Sequence, residues 1–323
     1  MTDEPEVVPL TPLEGLAALG TESANPRTHD LDTMSTLELL DAMNVEDQTV
    51  PLAVRAALPA IARAVDLVVA ARERGGRLVY LGAGTSGRLG LLDAVECPPT
   101  FGTSPEEVLG LIAGGVGAFD RAVEGAEDDQ DRGAADLEAV ALGPLDVVVG
   151  IAASGRTPYV LGGLRHARSV GAVTVSVACN PSAPISEGAD VAVEIDTGPE
   201  VLTGSTRLKA GTAQKLVCNM LSTAAMVRTG KVYQNLMVDV QPTNAKLVDR
   251  ALRIVVAATG ADPGTAEEAV GAAGGRAKTA IVMLLADCTA EEADARLGRH
   301  DGRVRPAVSD PPAAHPEARP SRT

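Results

Sequence analysis

The 323-residue chain carries 43 Asp and Glu against 28 Lys and Arg, a formal net charge of −15, with 45% hydrophobic residues. That hydrophobic share is globular, and no uncharged apolar run reaches the ~18 to 20 residues a membrane helix needs. The acidic excess argues against nucleic acid as a main partner, because a phosphate backbone is held by a basic face.

The first residues, with Asp3, Glu4 and Glu6 and no basic stretch, have the pattern of neither a secretory signal nor a transit peptide, which predicts a cytoplasmic protein. Residues 1–20 read as a flexible lead-in. From Pro51 to Arg74, Leu, Ala, Val and Ile recur at helical spacing up to Gly75-Gly76, a usual C-terminal stop. Apolar β-branched runs follow at 77–81, 108–112, 146–151, 172–177 and 191–195, separated by helix-length segments. This alternation predicts an α/β domain with a doubly wound five-stranded parallel sheet. Further helices are predicted at 158–170 and 209–229. After Asp239-Val-Gln-Pro242 the strand signals cease. Short Ala-rich helical segments at 243–259, 264–273, 278–286 and 290–299 are joined by turns holding Gly, Pro or Asp. The expected organisation is a main domain over 21–240 with N-terminal helices, a small all-α C-terminal domain over 241–300, and a disordered tail over 301–323, where five prolines fall.

Cys97, Cys179, Cys218 and Cys288 are widely spaced, with no C-x-x-C pair and no neighbouring His cluster, so neither a disulfide framework nor a metal site is predicted. Aromatic residues make up 2% of the chain and Trp is absent. Ligand recognition therefore leans on hydroxyls, backbone amides and charges.

The first predicted strand runs into Gly82-Ala-Gly84-Thr-Ser-Gly87-Arg-Leu-Gly90, a formal G-x-G-x-x-G between strand and helix. A dinucleotide site also needs an acidic ribose anchor at the end of the next strand, and that strand ends Ile112-Ala-Gly-Gly115. The Thr85 and Ser86 hydroxyls, with Gly87 beside helix N-terminal amides, suit a compact phosphate monoester instead. The third strand enters a similar turn, with Ser154, Gly155, Arg156 and Thr157, and a helix again follows. One hydroxyl caps a helix, so two at each turn exceed the structural need and point to a ligand at the carboxyl ends of the strands. A third cluster, Thr203-Gly-Ser-Thr-Arg-Leu-Lys209, offers Ser205 and Thr206 at a helix start, with Lys209 as a positive charge one turn in.

Among the carboxylates, Glu96, in Asp93-Ala-Val-Glu96-Cys-Pro-Pro-Thr100 before an expected Pro-Pro break, stands out weakly, and Glu127, at the end of the helix expected after the second strand, hardly at all. His29, His166, His300 and His315 are isolated, which leaves a Ser-His-Asp or Cys-His arrangement without support.

On these residues the chain resembles the N-acetylmuramic acid 6-phosphate etherases, members of the sugar isomerase (SIS) fold group. The resemblance rests on residues 81–90, Asp93 with 96–100, 122–128, 150–159, 204–215, 235–240 and Thr243-Asn244, with 21–25 and 47–51 in support, and spans roughly 21–300. It implies an αβα sandwich of SIS type and cleavage of the D-lactyl ether of N-acetylmuramic acid 6-phosphate, giving N-acetylglucosamine 6-phosphate and D-lactate. This is a step of cell-wall amino-sugar salvage. It further implies that Glu96 and Glu127 are the acid and base, and that the enzyme is a homodimer using neither metal nor organic cofactor. The more apolar Cys-Pro-Pro side of Glu96 favours Glu96 as acid and Glu127 as base. Ten helical residues from Ser86 to Glu96 span about 15 Å, longer than a sugar phosphate. Either the chain doubles back after Pro98-Pro99, or Glu96 serves a neighbouring subunit. The alternatives are a non-catalytic sugar-phosphate-binding regulator and an aldose–ketose isomerase, which would release no lactate.

Overall fold

The computed structural model of the chain describes residues 19–240 and 245–310. The expected lead-in up to residue 18, Thr243-Asn244 and the tail from residue 311 lie outside the described residues. The described residues divide into two compact units, one drawn from Met1–Val95 and Pro105–Thr223, the other from Glu96–Ser104 and Ala224–Thr323.

In the first unit, α1 (Thr36–Asp47) starts in a capping box, Ser35 and Glu38 satisfying each other's backbone N–H groups, and α2 (Val50–Glu73) buries one face along its length. Then follow β1 (Leu78–Gly82), α3 (Gly84–Phe101), β2 (Val108–Ile112), α4 (Gln130–Ala139), β3 (Val147–Ala152), α5 (Pro158–Ser169), β4 (Val173–Ala178), β5 (Val191–Glu194) and α6 (Lys209–Arg228). The five strands form one parallel sheet in the order β2-β1-β3-β4-β5. Every residue of β1 and β3 is buried, as expected where helices cover both faces of a sheet and no polar alternation survives. α4 and α5 pack on the face carrying Val79 and Leu81. On the opposite face α3 lays Gly90 against Tyr80, whose hydroxyl donates to Asp93 Oδ2 at 2.9 Å and lies 3.3 Å from the Cys218 carbonyl of α6.

The expected Pro-Pro break is absent, since α3 runs through Pro98 and Pro99 to Phe101. The two prolines cost ladder donors only in the last turns, and the stop comes at Gly102, whose φ of 61° suits glycine and whose N–H donates to the Pro98 carbonyl. The helix expected to end near Glu127 is also absent: 3-10 turns at Val116–Phe119 and Ala126–Asp128 fill that connection.

The second unit adds an antiparallel hairpin, β6 (Val232–Tyr233) with β7 (Leu236–Met237), then α7 (Ala245–Thr259), α8 (Pro263–Ala272), α9 (Ala277–Ala286), α10 (Ala290–Arg299) and α11 (Val304–Ser309). Val238 and Val240 belong to its core with Val255, Ile281, Val282 and Leu297, which is why 224–240 groups here. α11 lies in the stretch expected as tail; it buries Val304 and Ala307, and Asp310 just beyond it accepts from both Nε and Nη2 of Arg299. Among the described residues no single helix is long and apolar enough to cross a membrane.

α4 and α5 approach so closely that a Cβ on Gly162 would overlap the Gln130 carbonyl, and one on Gly133 the Tyr159 carbonyl. Gly162→Ala is therefore expected to lower stability by about 2–3 kcal/mol, because backbone cannot yield as a side chain would. A denaturant midpoint equal to that of the parent would show that the two helices separate freely.

Candidate active site

The strand order reverses between β1 and β3, and in such sheets the crevice beyond the carboxyl ends at the reversal is the natural ligand position. A cavity of about 680 Å3 lies there, lined from the β1 turn by Ala83, Gly84, Thr85 and Ser86 and from the β3 turn by Ala153, Ser154, Arg156 and Thr157. Glu22, Glu127, Asp128 and Thr206 complete its polar wall.

Each donor has a local reason for its place. Gly87 lets the start of α3 close onto the sheet: a Cβ there would lie 2.6 Å from the Gly82 carbonyl oxygen. Gly155, at φ 74°, turns the backbone after Ser154 where a Cβ would collide with Ala183. Ser154 Oγ accepts from the Arg156 N–H at 3.3 Å, whereas Thr157, the N-cap of α5, makes no side-chain cap bond. The Thr157 hydroxyl thus stands at a helix N-terminus with its capping role unfilled, where an anion is favoured. Ser86 Oγ donates to Gln214 Oε1 at 2.9 Å, which orients it from α6.

Thr85, Ser86, Ser154, Thr157, Thr206 and Glu127 come together on this cavity, and Gly87 and Gly155 shape its turns without lining it. Ser205 and Lys209 do not line it. Lys209 is 1% exposed, and its Nζ donates to Glu46 Oε2 at 2.8 Å. Glu46 also pairs with Arg27, so the Lys209 charge is spent inside the protein, and the cation on the cavity wall is Arg156. Glu96 is exposed on α3 and does not line the cavity. Leu92 and Val95, close to it on the same helix, are exposed as well.

Sequence patterns missed Glu22 and gave Arg156 no role. Glu22 is placed by its neighbour: Thr21 N–H donates to Asn180 Oδ1, and Asn180 Nδ2 donates to Thr21 Oγ1 and to the Ala153 carbonyl. That tie joins the start of the described chain to the β3 turn, a pairing across 159 positions that no local pattern announces.

Glu127 sits on the 3-10 turn Ala126–Asp128, after Gly125 in the left-handed region. Its side chain keeps an open face, yet partial withdrawal from water, then the neighbouring Asp128 and Glu124 charges, push its carboxyl above the usual glutamate value. A carboxyl raised in this way, lining one cavity with hydroxyls and a guanidinium, is equipped for proton transfer on an anionic ligand.

Comparisons with known proteins find SIS-domain matches and similar chains. Residues 60–168 match the family model described as the glucokinase regulatory protein N-terminal SIS domain, and residues 131–224 match the SIS domain model. The chain is 64% identical over 293 residues to an N-acetylmuramic acid 6-phosphate etherase of Mycolicibacterium smegmatis, covering 91% of this chain and 98% of that one. It is 60% identical to that of Serratia proteamaculans over 91% of this chain and 99% of that one. Identity is 59% to N-acetylmuramic acid 6-phosphate etherase 2 of Vibrio parahaemolyticus, covering 91% and 98%.

Proposed function

Because the chain belongs to the N-acetylmuramic acid 6-phosphate etherase family, we propose that the switch-point cavity binds N-acetylmuramic acid 6-phosphate and cleaves its D-lactyl ether. The products are N-acetylglucosamine 6-phosphate and D-lactate, which makes the protein a carbon–oxygen lyase of cell-wall amino-sugar salvage. The observation that carries this reading is the meeting of Glu127 with an anion cradle on one cavity wall.

The α5 N-terminus, with Thr157, Ser154 and Arg156, receives the phosphate, and Thr85 and Ser86 take further polar groups of the sugar. In the open-chain sugar the aldehyde acidifies the C2 proton. Glu127 removes that proton; the electron pair forms the C2–C3 double bond, the C3–O bond breaks, and the departing lactate oxygen takes a proton from an acid. Water then adds at C3. A raised carboxyl is the better base, since its proton affinity lies closer to neutrality.

The acid is assigned to Glu96 of a second copy. α3 does not double back before Glu96, and Gly84 and Glu96, twelve residues apart on it, are about 18 Å apart. Leu92 and Val95 beside Glu96 are 43% and 60% exposed, apolar surface that a homodimer would cover. Glu96→Gln and Glu127→Gln, each inactive alone, are then expected to regain about a quarter of full activity when unfolded and refolded together, since a mixed dimer holds one intact site. No recovery would place both carboxylates in one subunit's site. A cytoplasmic location suits a sugar phosphate substrate.

The test of the function is D-lactate release from N-acetylmuramic acid 6-phosphate by the purified protein, with the unphosphorylated sugar as control. Release from the phosphorylated sugar alone is expected. Saturable hexose phosphate binding without lactate would mark a regulator.

A further inference from the structure

A second cavity of about 200 Å3 adjoins the first: Ala83, Gly84 and Glu127 line both. Its other walls are residues between Ala113 and Ala126 and, from α3, Arg88, the one cation lining it. Arg88 Nε donates to the Phe119 carbonyl at 2.9 Å and Nη2 to the Ala118 carbonyl at 2.7 Å. Those two bonds use one edge of the guanidinium and fix its plane. The edge formed by Nη1 and the second Nη2 hydrogen has no partner among the described residues, and none of their carboxylates pairs with Arg88. A fixed guanidinium with an open fork, on the wall of a small cavity, is a carboxylate receptor in its donor geometry.

The substrate inferred above carries two anionic groups, the 6-phosphate and the lactyl carboxylate, with the breaking C3–O bond between them. The large cavity holds the phosphate donors, the small one holds Arg88, and Glu127 stands on the shared wall. We propose that the small cavity is the D-lactyl subsite and that the free fork of Arg88 grips the lactyl carboxylate. This rests on the etherase function and adds a recognition residue to it. Glu124 and Glu127 border the same cavity, so without Arg88 a lactyl carboxylate would meet only like charge there.

The experiment compares parent, Arg88→Met and Arg88→Lys on N-acetylmuramic acid 6-phosphate and on its analogue with the lactyl acid converted to an amide. A charge-assisted pair of this kind supports an expected fall in kcat/KM of about 10- to 100-fold for Arg88→Met on the acid. The parent should fall similarly on the amide, and Arg88→Met should barely distinguish acid from amide. Inhibition by D-lactate should weaken in the variant, while affinity for N-acetylglucosamine 6-phosphate, which lacks the lactyl arm, stays within about twofold. Equal losses by Arg88→Met on acid and amide, or an equal loss of affinity for the lactate-free product, would overturn the assignment and leave Arg88 as a clamp on Ala118 and Phe119. Should Arg88→Met not fold, the parent decides: indifference to amidation overturns the proposal, and selectivity for the acid that Arg88→Lys only partly keeps supports it. A parent that releases no lactate from the acid would instead remove the etherase function itself.

Discussion

Glu127→Gln is expected to cut D-lactate release by about 10²- to 10⁴-fold while leaving affinity for N-acetylglucosamine 6-phosphate nearly unchanged, because the amide keeps the shape of the wall and cannot accept the C2 proton. The pH profile gives the sign. As a base, Glu127 works only when ionised, so kcat/KM should fall as pH drops through its carboxyl value, which burial, Asp128 and Glu124 hold above the ordinary glutamate value of 4.5. Replacing Asp128 by Asn and Glu124 by Gln removes two of the three causes and should move that acid limb to lower pH. A limb that stays in place would assign it to another group. Stability should move oppositely to activity. A carboxyl whose value is higher folded than unfolded favours the folded state at low pH and opposes it once pH exceeds the folded value. Near neutrality Glu127→Gln is therefore expected to be as stable as the parent or more so. A lower thermal midpoint would contradict this.

Lys209→Met is expected to destabilise the protein by about 3 to 5 kcal/mol, the range found when one partner of a buried ion pair is removed and the other is left without compensation. Glu46 is 1% exposed and Lys209 equally so, with 2.8 Å between Oε2 and Nζ. Arg27, whose side chain is 62% exposed, stays beside Glu46 and should bring the loss toward the lower end. A double variant, Lys209→Met with Glu46→Leu, should recover most of it, since no charge is then left buried. Denaturant midpoints of the single and double variants decide this, and equal losses in both would mean that packing around α6, not charge, sets the cost. The acid side carries a second signature. Burial raises the Glu46 carboxyl, but bonds from Lys209 and Arg27 hold it below its ordinary value. Its stabilising contribution is thus present above that ordinary value and is lost as pH falls through the lowered one. The parent should lose stability there, and the double variant less. Function should feel the single change indirectly. Glu200 accepts from the Lys209 and Ala210 N–H groups at 2.9 and 3.0 Å, a cap that holds the turn presenting Thr206.

Lys209 also shows where sequence patterns end. A lysine one turn into a helix, after a run of hydroxyls, has the composition of an anion site. Whether it reaches a ligand depends on Glu46, 163 positions away in sequence. Glu96 is the parallel case: apolar residues flank it in sequence, but α3 presents the carboxyl on an exposed face, with Leu92 and Val95 exposed near it. The sheet was legible for the opposite reason. Its central strands β1 and β3 are buried throughout, and the strands read as short, mainly apolar runs between helix-length stretches. The short 3-10 turns around Glu127 and the two-residue strands of the hairpin were not legible, because so few residues carry no periodicity.

The sequence by itself determined the α/β architecture, the two hydroxyl-rich turns and the family, all of which are local patterns or strings of residues in order. Tertiary structure alone decided which of those residues share a cavity. It turned Lys209 inward to Glu46, left Arg156 as the cation on the cavity wall, brought Glu22 to the β3 turn through Asn180, and set Arg88 beside Glu127. The physical reason is that charge and polar groups take their meaning from what surrounds them. Those surroundings come from segments tens to well over a hundred positions apart, which only the fold brings together.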